Sequence, residues 1–275
     1  MRLIGFLVAC AILCIAIYAW GGRGMWSSLQ RKMIFFPTSA LAYTPADFGL
    51  PYEDVRIRTS DGVTIHGWMV PCDGSDVTLL FFHGNAGNIG DRVENVRRLH
   101  EIGLQVFILD YRGYGLSEGS PSEQGLYEDA QAAYTHLLSR DDVNTERIAI
   151  FGRSLGGAVA VDLASRVPCR RLILESTFSS AADMAGHILP ILPIGRLVTE
   201  RFDSASKIDK VRAPLLQFHG TQDEIVPYRL GQKLHESARE PKEFVPIPGA
   251  THNDTYFVGG KTYLEKILSF LSEPE

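Results

Sequence analysis

The residues in this sequence that could do chemistry are a serine, an aspartate and a histidine, in that order along the chain. Ser154 lies in a G-x-S-x-G match at residues 152–156, between an apolar run, Ile148–Phe151, and a stretch of small residues. A strand, a sharp turn and a helix in that order form a nucleophile elbow, in which the glycines let strand and helix approach closely. The pattern predicts Ser154 as a nucleophile and the main-chain N–H of Leu155 as a donor to an oxyanion.

A serine hydroxyl is a weak nucleophile at neutral pH, so this interpretation requires a base and an acid elsewhere in the chain. Asp223 and His252 each follow an apolar, strand-like segment. His252 would take the serine proton, and a carboxylate would hold its tautomer and stabilise the imidazolium. Asp223 is the preferred acid, and Glu224 and Glu175 are its competitors. The order serine, acid, histidine is the one found in α/β-hydrolases.

Two further loops follow predicted strands. Residues 83–88 contain glycines that let the backbone pass close to a ligand, and the N–H of Asn85 is predicted as the second oxyanion donor. His83 is interpreted as structural, because as a base it would crowd the oxyanion position. In the second loop, Asp110 and Arg112 are predicted to brace the backbone, since its glycine spacing does not match a dinucleotide-binding fingerprint.

The elements that must position these groups follow a regular order. Residues 52–58 and 63–70 alternate in strand fashion around the turn signal Asp61-Gly62, which predicts an antiparallel hairpin. Apolar strands then alternate with helical stretches; the predicted strands are 77–82, 105–109, 148–151, 171–174, 214–218 and 243–247. This order predicts the α/β class, with a mostly parallel doubly wound sheet and sites beyond the carboxyl ends of its strands.

Composition excludes several classes of protein. The 275 residues suffice for one large domain, and 45% apolar with 21% charged residues is ordinary for a globular protein. A net charge of −5 without a basic stripe argues against a nucleic-acid partner. The spacing of the four cysteines suggests neither disulfides nor a zinc site, and the predicted chemistry needs no metal or organic cofactor.

The N-terminus predicts a membrane anchor at residues 1–22. Leu3–Trp20 has no charged side chain and is just long enough to span a bilayer, so membrane lipid is an expected partner. A cleaved signal peptide is the alternative interpretation. Basic residues flank both sides, which leaves the side of the membrane that holds the catalytic domain open.

Residues 23–50 are predicted as a juxtamembrane connector, and residues 51–275 as the catalytic domain. The apolar residues 34–36 would lie near lipid headgroups or pack on the domain, and the sequence favours neither. Residues 176–213 are predicted as a small lid with an apolar centre that includes Ile191 and Leu192. Its alternative is a single crossover helix with an apolar face on the sheet.

The chain also resembles a known family. The segments in common are Asp61–Val63 with His66–Trp68, Phe82–Asn88, Asp110–Gly115, Gly152–Gly157 and Asp223–Pro227. On these segments residues 50–272 resemble the α/β-hydrolase superfamily. Within it they are most similar to membrane-anchored serine hydrolases, which include depalmitoylase-like α/β-hydrolase domain-containing proteins and their bacterial homologues.

The resemblance implies an α/β-hydrolase fold with Ser154 as nucleophile, Asp223 as acid and His252 as base, and with Asn85 and Leu155 as oxyanion donors. The serine disfavours the aspartate-based dehalogenases of the same fold. The chain departs from eukaryotic depalmitoylases because it lacks their cysteine-rich N-terminal segment and has an apolar stretch instead. Depalmitoylation therefore does not carry over with the resemblance.

These observations predict a serine hydrolase that cleaves carboxylic esters or thioesters of acyl substrates through an acyl-enzyme intermediate. One alternative is a serine peptidase of the prolyl-oligopeptidase kind, which would share the triad, although the chain has no propeller or other gating domain. The other is a membrane-tethered binding protein that keeps the fold without turnover. Such a protein would have no chemical need for all three triad residues.

Overall fold

The computed structural model describes residues 24–188 and 194–273. The strands are β1 (Glu53–Arg58), β2 (Thr64–Val70), β3 (Thr78–Phe82), β4 (Gln105–Asp110), β5 (Ile148–Arg153), β6 (Leu172–Glu175), β7 (Leu215–Gly220) and β8 (Lys242–Ile247). The helices are α1 (residues 24–34, as far as described), α2 (Val93–Glu101), α3 (Glu123–Leu138), α4 (Leu155–Ala164), α5 (Ala181–Ile188), α6 (Tyr228–Ser237) and α7 (Thr255–Ser272). Short 3₁₀ turns occupy Pro45–Phe48, Ile89–Arg92, Thr145–Arg147, Ile194–Leu197 and Ile208–Lys210.

The strands form one eight-stranded sheet in the order β1-β2-β4-β3-β5-β6-β7-β8. β1 and β2 form the predicted antiparallel hairpin, and β2 pairs antiparallel with β4. All pairs from β4 to β8 are parallel, so the ends of β3, β5, β6, β7 and β8 that precede the predicted site loops lie at the same edge. The α/β-hydrolase fold expected from the sequence is confirmed.

Both faces of the sheet are buried at its inner strands β3, β4, β5 and β6, which explains why these strands are mainly apolar rather than alternating. In β5, Ile148 and Ile150 pack in one core cluster, whereas Ala149 and Phe151 pack in the other. Helices α3 and α4 cover the first face, and α2 and α7 cover the second. The two-residue period of a strand therefore feeds both cores from one continuous apolar run.

The connector packs on the domain through part of its length. Phe35 is only 4% exposed and belongs to the core cluster. Its ring packs edge-on against that of Phe202, with 6.1 Å between the ring centroids. Its neighbour Phe36 is 56% exposed. Of the two interpretations of residues 34–36, packing on the domain therefore applies to Phe35.

Two predictions fall partly or wholly outside the described residues. The predicted anchor at residues 1–22 lies there, as do Ile191 and Leu192 of the predicted lid. Within residues 24–188 and 194–273, no helix has both the length and the apolar character needed to cross a membrane. The described parts of residues 176–213 contain α5 and two 3₁₀ turns.

Candidate active site

Ser154 lies in a sharp turn between β5 and α4, with φ 54° and ψ −119°. A side chain at this positive φ is strained, and such strain is typical of residues held in place for chemistry. The turn is tight because its neighbours have no Cβ atoms. A Cβ on Gly152 would collide with the carbonyl oxygen of Gly156, and one on Gly156 with that of Phe82. The G-x-S-x-G pattern therefore has a steric cause here.

The structure brings the three predicted catalytic side chains together in one chain of contacts. Ser154 Oγ lies 3.0 Å from His252 Nε2, and His252 Nδ1 lies 2.8 Å from Asp223 Oδ2. The Asp223 side chain is fully buried, and that of His252 is 7% exposed. Each distance is within hydrogen-bonding range, so a proton can pass from the hydroxyl to the imidazole without rearrangement.

The surroundings of Asp223 favour its ionised form. Burial alone would raise the pKa of this carboxyl group, but hydrogen bonds from His219, His252 and the main-chain N–H of Val226 outweigh burial and lower the pKa well below its ordinary value. Its Oδ1 accepts the N–H groups of Ile225 at 3.0 Å and Val226 at 2.7 Å. The carboxylate is thus charged at neutral pH and fixed in orientation.

The two competing acids lie elsewhere in the site. Glu224 accepts the main-chain N–H of His252 at 3.2 Å and makes no contact with the imidazole nitrogens. Glu175 is fully buried and binds Arg153, Thr255 and Tyr263. Asp223 is the acid that contacts the His252 ring.

The glycine-containing segment at residues 83–88, called the glycine loop below, runs beside Ser154. A Cβ on Gly84 would lie 3.3 Å from the Cβ of Ser154, a tight contact, so the glycine lets the loop approach Ser154 closely without displacing it. Asn85 follows directly. Leu155 is the first residue of α4, where a main-chain N–H has no partner within the helix. Both predicted donors therefore lie in segments next to the Ser154 side chain.

The side chain of Asn85 has a separate role that the sequence does not reveal. Its Oδ1 accepts the N–H of Phe36 at 3.2 Å and the hydroxyl of Tyr114 at 2.8 Å, and its Nδ2 donates to the carbonyl of Ile34. The connector and the loop at residues 110–117 thus hold Asn85 from two sides. These contacts join segments far apart in sequence, and no local pattern signals them.

His83 and Asp110 form a buried pair beneath the loop, with 3.6 Å between Nε2 and Oδ1. Burial is the main cause that lowers the pKa of His83 to about 3 and raises that of Asp110 to about 7. His83 Nδ1 lies 2.7 Å from the carbonyl oxygen of Gly84, and its ring packs on Tyr111. His83 therefore contacts loop backbone and aromatic rings rather than the triad.

Arg112 joins the 110–117 loop to two other elements. It makes two hydrogen bonds from its side chain to Asp61 in the β1–β2 turn, and both its backbone and its side chain donate to Asp129 in α3. The predicted bracing partner Asp110 instead accepts the main-chain N–H of Ile89 at 2.9 Å. Among the described residues, no group of three or more His, Cys, Asp or Glu side chains is arranged to hold a metal ion.

Comparison with known proteins finds relatives in sequence and, separately, solved structures of similar fold. A protein from Arabidopsis thaliana, alpha/beta hydrolase domain-containing protein WAV2, is 39% identical over 280 residues, which cover 92% of this chain and 90% of that protein. The chain belongs to the α/β-hydrolase superfamily. Protein Rv2307c of Mycobacterium tuberculosis is 40% identical over 269 residues, covering 96% and 95%. The family model described as serine aminopeptidase, S33, matches residues 74–206 of this hydrolase.

Solved structures agree with this assignment. The esterase Pf2001 of Pyrococcus furiosus superposes with a TM-score of 0.73 over 86% of this hydrolase and 97% of that chain, at 22% identity. At this identity the similarity establishes the shared fold. The hydrolase fold accounts for the position of the site, because its loops follow the carboxyl ends of parallel strands.

Proposed function

We propose that this hydrolase cleaves carboxylic esters or thioesters through an acyl-enzyme formed on Ser154. The observation that supports this most directly is the unbroken contact chain from Ser154 Oγ through His252 to Asp223, at 3.0 Å and 2.8 Å. A strained, partly exposed serine with a positioned base is the arrangement that nucleophilic acyl transfer requires. A binding protein would gain nothing from it.

In the proposed mechanism, Ser154 Oγ attacks the acyl carbonyl carbon as its proton moves to His252 Nε2. The negative charge of Asp223 stabilises the resulting imidazolium and keeps the remaining proton on Nδ1. His252 then protonates the leaving alcohol or thiol, and the acyl group stays on the serine. A water molecule, deprotonated by His252 in turn, attacks the ester and releases the acid.

The oxyanion that forms in both steps would accept hydrogen bonds from the main-chain N–H groups of Asn85 and Leu155. The Leu155 donor gains strength from its place at the start of a helix, where the helix dipole favours negative charge. Removing one donor of this kind typically lowers kcat by about 10²- to 10³-fold. Hydrogen bonds that fix the Asn85 side chain to the connector would keep this donor in position before substrate binds.

A fluorophosphonate probe tests the proposed nucleophile. We expect wild-type protein to be labelled at Ser154, and a folded Ser154→Ala variant to remain unlabelled. Comparing p-nitrophenyl esters with acyl thioesters of graded chain length then separates the two bond types and measures the preferred acyl length. A folded wild-type sample that neither labels nor hydrolyses any of these substrates would count against the proposal.

A second candidate activity is peptide hydrolysis, which the description of the matched family model favours. The same triad would attack an amide, and an aminopeptidase additionally needs a negative group to bind the substrate ammonium. We propose Glu224 for this group, because it is exposed and adjacent to Asp223. Aminoacyl p-nitroanilides distinguish the two activities. Steady turnover of aminoacyl anilides by wild type that is absent in Ser154→Ala would favour the peptidase, and ester turnover without any anilide turnover would favour the esterase.

A further inference from the structure

Arg153, the residue before the nucleophile, reaches the loop that holds the base. Its Nη2 donates to the carbonyl oxygen of His252 at 2.8 Å and to Asn253 Oδ1 at 3.2 Å. Its Nε donates to Glu175 Oε1 at 3.0 Å. The guanidinium is therefore fixed on one side and holds the backbone of the base on the other.

Glu175 is fully buried at the end of β6, directly beside Arg153 in the parallel register of β5 and β6. Its Oε1 also accepts the hydroxyl of Thr255, and its Oε2 accepts the hydroxyl of Tyr263 at 2.5 Å. Both hydroxyls belong to α7, the helix that follows the histidine loop (residues 248–254). The carboxylate thus joins the elbow strand to the helix that anchors the base.

The main chain of Ser154 is also held by Glu175 and by a neighbouring residue. The main-chain N–H of Ser154 donates to the carbonyl oxygen of Glu175 at 2.9 Å, and Thr177 Oγ1 donates to the carbonyl oxygen of Ser154 at 2.7 Å. Ser154 is bonded to Glu175 through its main chain, and His252 is bonded to Glu175 through Arg153. Ser154 and His252, whose Oγ and Nε2 lie 3.0 Å apart, are therefore both held in place by Glu175.

We infer that Arg153, held by Glu175, is a positioning residue that sets the distance between the nucleophile and the base. This inference rests on the proposed function of the site. A buried ion pair contributes little net stability, because desolvation of the two charges offsets their attraction. The contribution of Arg153 is geometric, since a planar guanidinium with several fixed donors can bind Glu175 and the carbonyl oxygen of His252 at once.

A lysine at position 153 keeps the positive charge, but it cannot hold Glu175 and the carbonyl oxygen of His252 together in the planar geometry of a guanidinium. Its single ammonium could approach Glu175 or the carbonyl of His252, and the histidine loop would lose one of its fixed contacts. Displacement of a catalytic group by about 1 Å can cost roughly 10²-fold in rate. Substrate binding does not depend on this contact, so the loss would fall on kcat rather than KM.

The experiment measures kcat and KM of full-length wild type, Arg153→Lys and a control, Arg171→Lys, with a p-nitrophenyl ester, alongside the melting temperature. Arg171 is a matched control because it is equally buried and donates to the carbonyl of Phe270 at the far end of the same helix, α7. We expect kcat to fall about 100-fold in Arg153→Lys with KM within about twofold of wild type. Arg171→Lys should lower the melting temperature and leave kcat within about twofold.

The NMR resonance of the His252 Nδ1 proton adds a readout that a purely structural role would not move. It should broaden or shift in Arg153→Lys and stay unchanged in Arg171→Lys. If Arg153→Lys does not fold, Glu175→Gln replaces it, because the amide keeps one acceptor for Arg153 but cannot accept from both hydroxyls of α7. We expect that variant to lose about tenfold in kcat.

Wild-type kcat in folded Arg153→Lys, or equal losses of kcat in Arg153→Lys and Arg171→Lys, would overturn the inference. A wild-type kcat in Glu175→Gln, where that variant is needed, would do the same. These results differ from failure of the proposed function, in which the wild-type protein itself would neither hydrolyse esters nor react with the fluorophosphonate probe.

Discussion

Replacing Asp223 by asparagine would test the triad with almost no change in shape. In the native site, Oδ1 accepts two main-chain N–H groups, and Oδ2 lies 2.8 Å from His252 Nδ1 and 3.3 Å from His219 Nε2. An asparagine has one acceptor oxygen and one NH₂ donor. The two N–H groups of residues 225 and 226 require the oxygen on their side, so the NH₂ group must face His252.

This orientation inverts the tautomer of the base. His252 Nδ1 would have to accept from the new NH₂ group, which places the imidazole proton on Nε2. That nitrogen then faces Ser154 Oγ as a donor and cannot take the serine proton. The same inversion is a known consequence of this substitution in serine proteases, where kcat falls by about 10⁴-fold. A 10⁴-fold loss corresponds to roughly 5 kcal/mol of transition-state stabilisation.

We therefore expect Asp223→Asn to lower kcat for a p-nitrophenyl ester by about 10⁴-fold with an intact fold. Glu224→Gln is the matched control, because among the described residues its side chain accepts a hydrogen bond from the main-chain N–H of His252 and not from the imidazole, and the amide oxygen can still accept that bond. The control should lose less than about tenfold. A loss of less than tenfold in Asp223→Asn, or a larger loss in Glu224→Gln, would refute the assignment of the acid.

Two further predictions concern stability. Because burial raises the folded-state pKa of Asp110 to about 7, its contribution to stability is present at low pH and is lost as pH rises from the unfolded pKa towards 7. Between pH 5 and pH 8, wild type should lose roughly 3 kcal/mol of unfolding free energy relative to Asp110→Asn in urea titrations; parallel pH profiles would contradict this. Ser154→Gly should be more stable than Ser154→Ala by about 1 kcal/mol of unfolding free energy and should therefore melt at a higher temperature, since glycine relieves the positive φ. Equal melting temperatures would argue that the turn is unstrained.

Much of this fold could be predicted from sequence because strands buried on both faces are apolar runs of defined length. The hairpin signal at Asp61-Gly62 and the alternation of strands and helices were sufficient for the class and the sheet direction. Parallel strands bring their carboxyl ends to one edge, so residues just past each strand become neighbours. For this reason Ser154, Asp223 and His252 could be expected to meet without knowledge of any distance.

The supporting contacts could not be predicted in the same way. The pairing of Arg153 with Glu175 depends on which strand neighbours β5 and on the register between them. Neither is encoded in a local pattern. Tyr263 joins them only because α7 crosses the sheet at one particular position. The sequence places Glu175 among the candidate acids, but only the sheet order shows that its carboxylate is already engaged.

The position of the connector bears on local unfolding around the candidate site. Residues 36–38 lie alongside the glycine loop. The Gly87 N–H donates to the carbonyl oxygen of Phe36 at 3.0 Å, and the Thr38 N–H donates to the carbonyl oxygen of Gly87 at 3.2 Å. We therefore expect the loop and the connector to exchange their amide protons as one cooperative unit, although about fifty residues of chain separate them. Release of the connector would expose the Gly87 amide while the amides of β3 stay protected. The folded unit that carries the candidate site thus includes residues well before the first strand of the sheet.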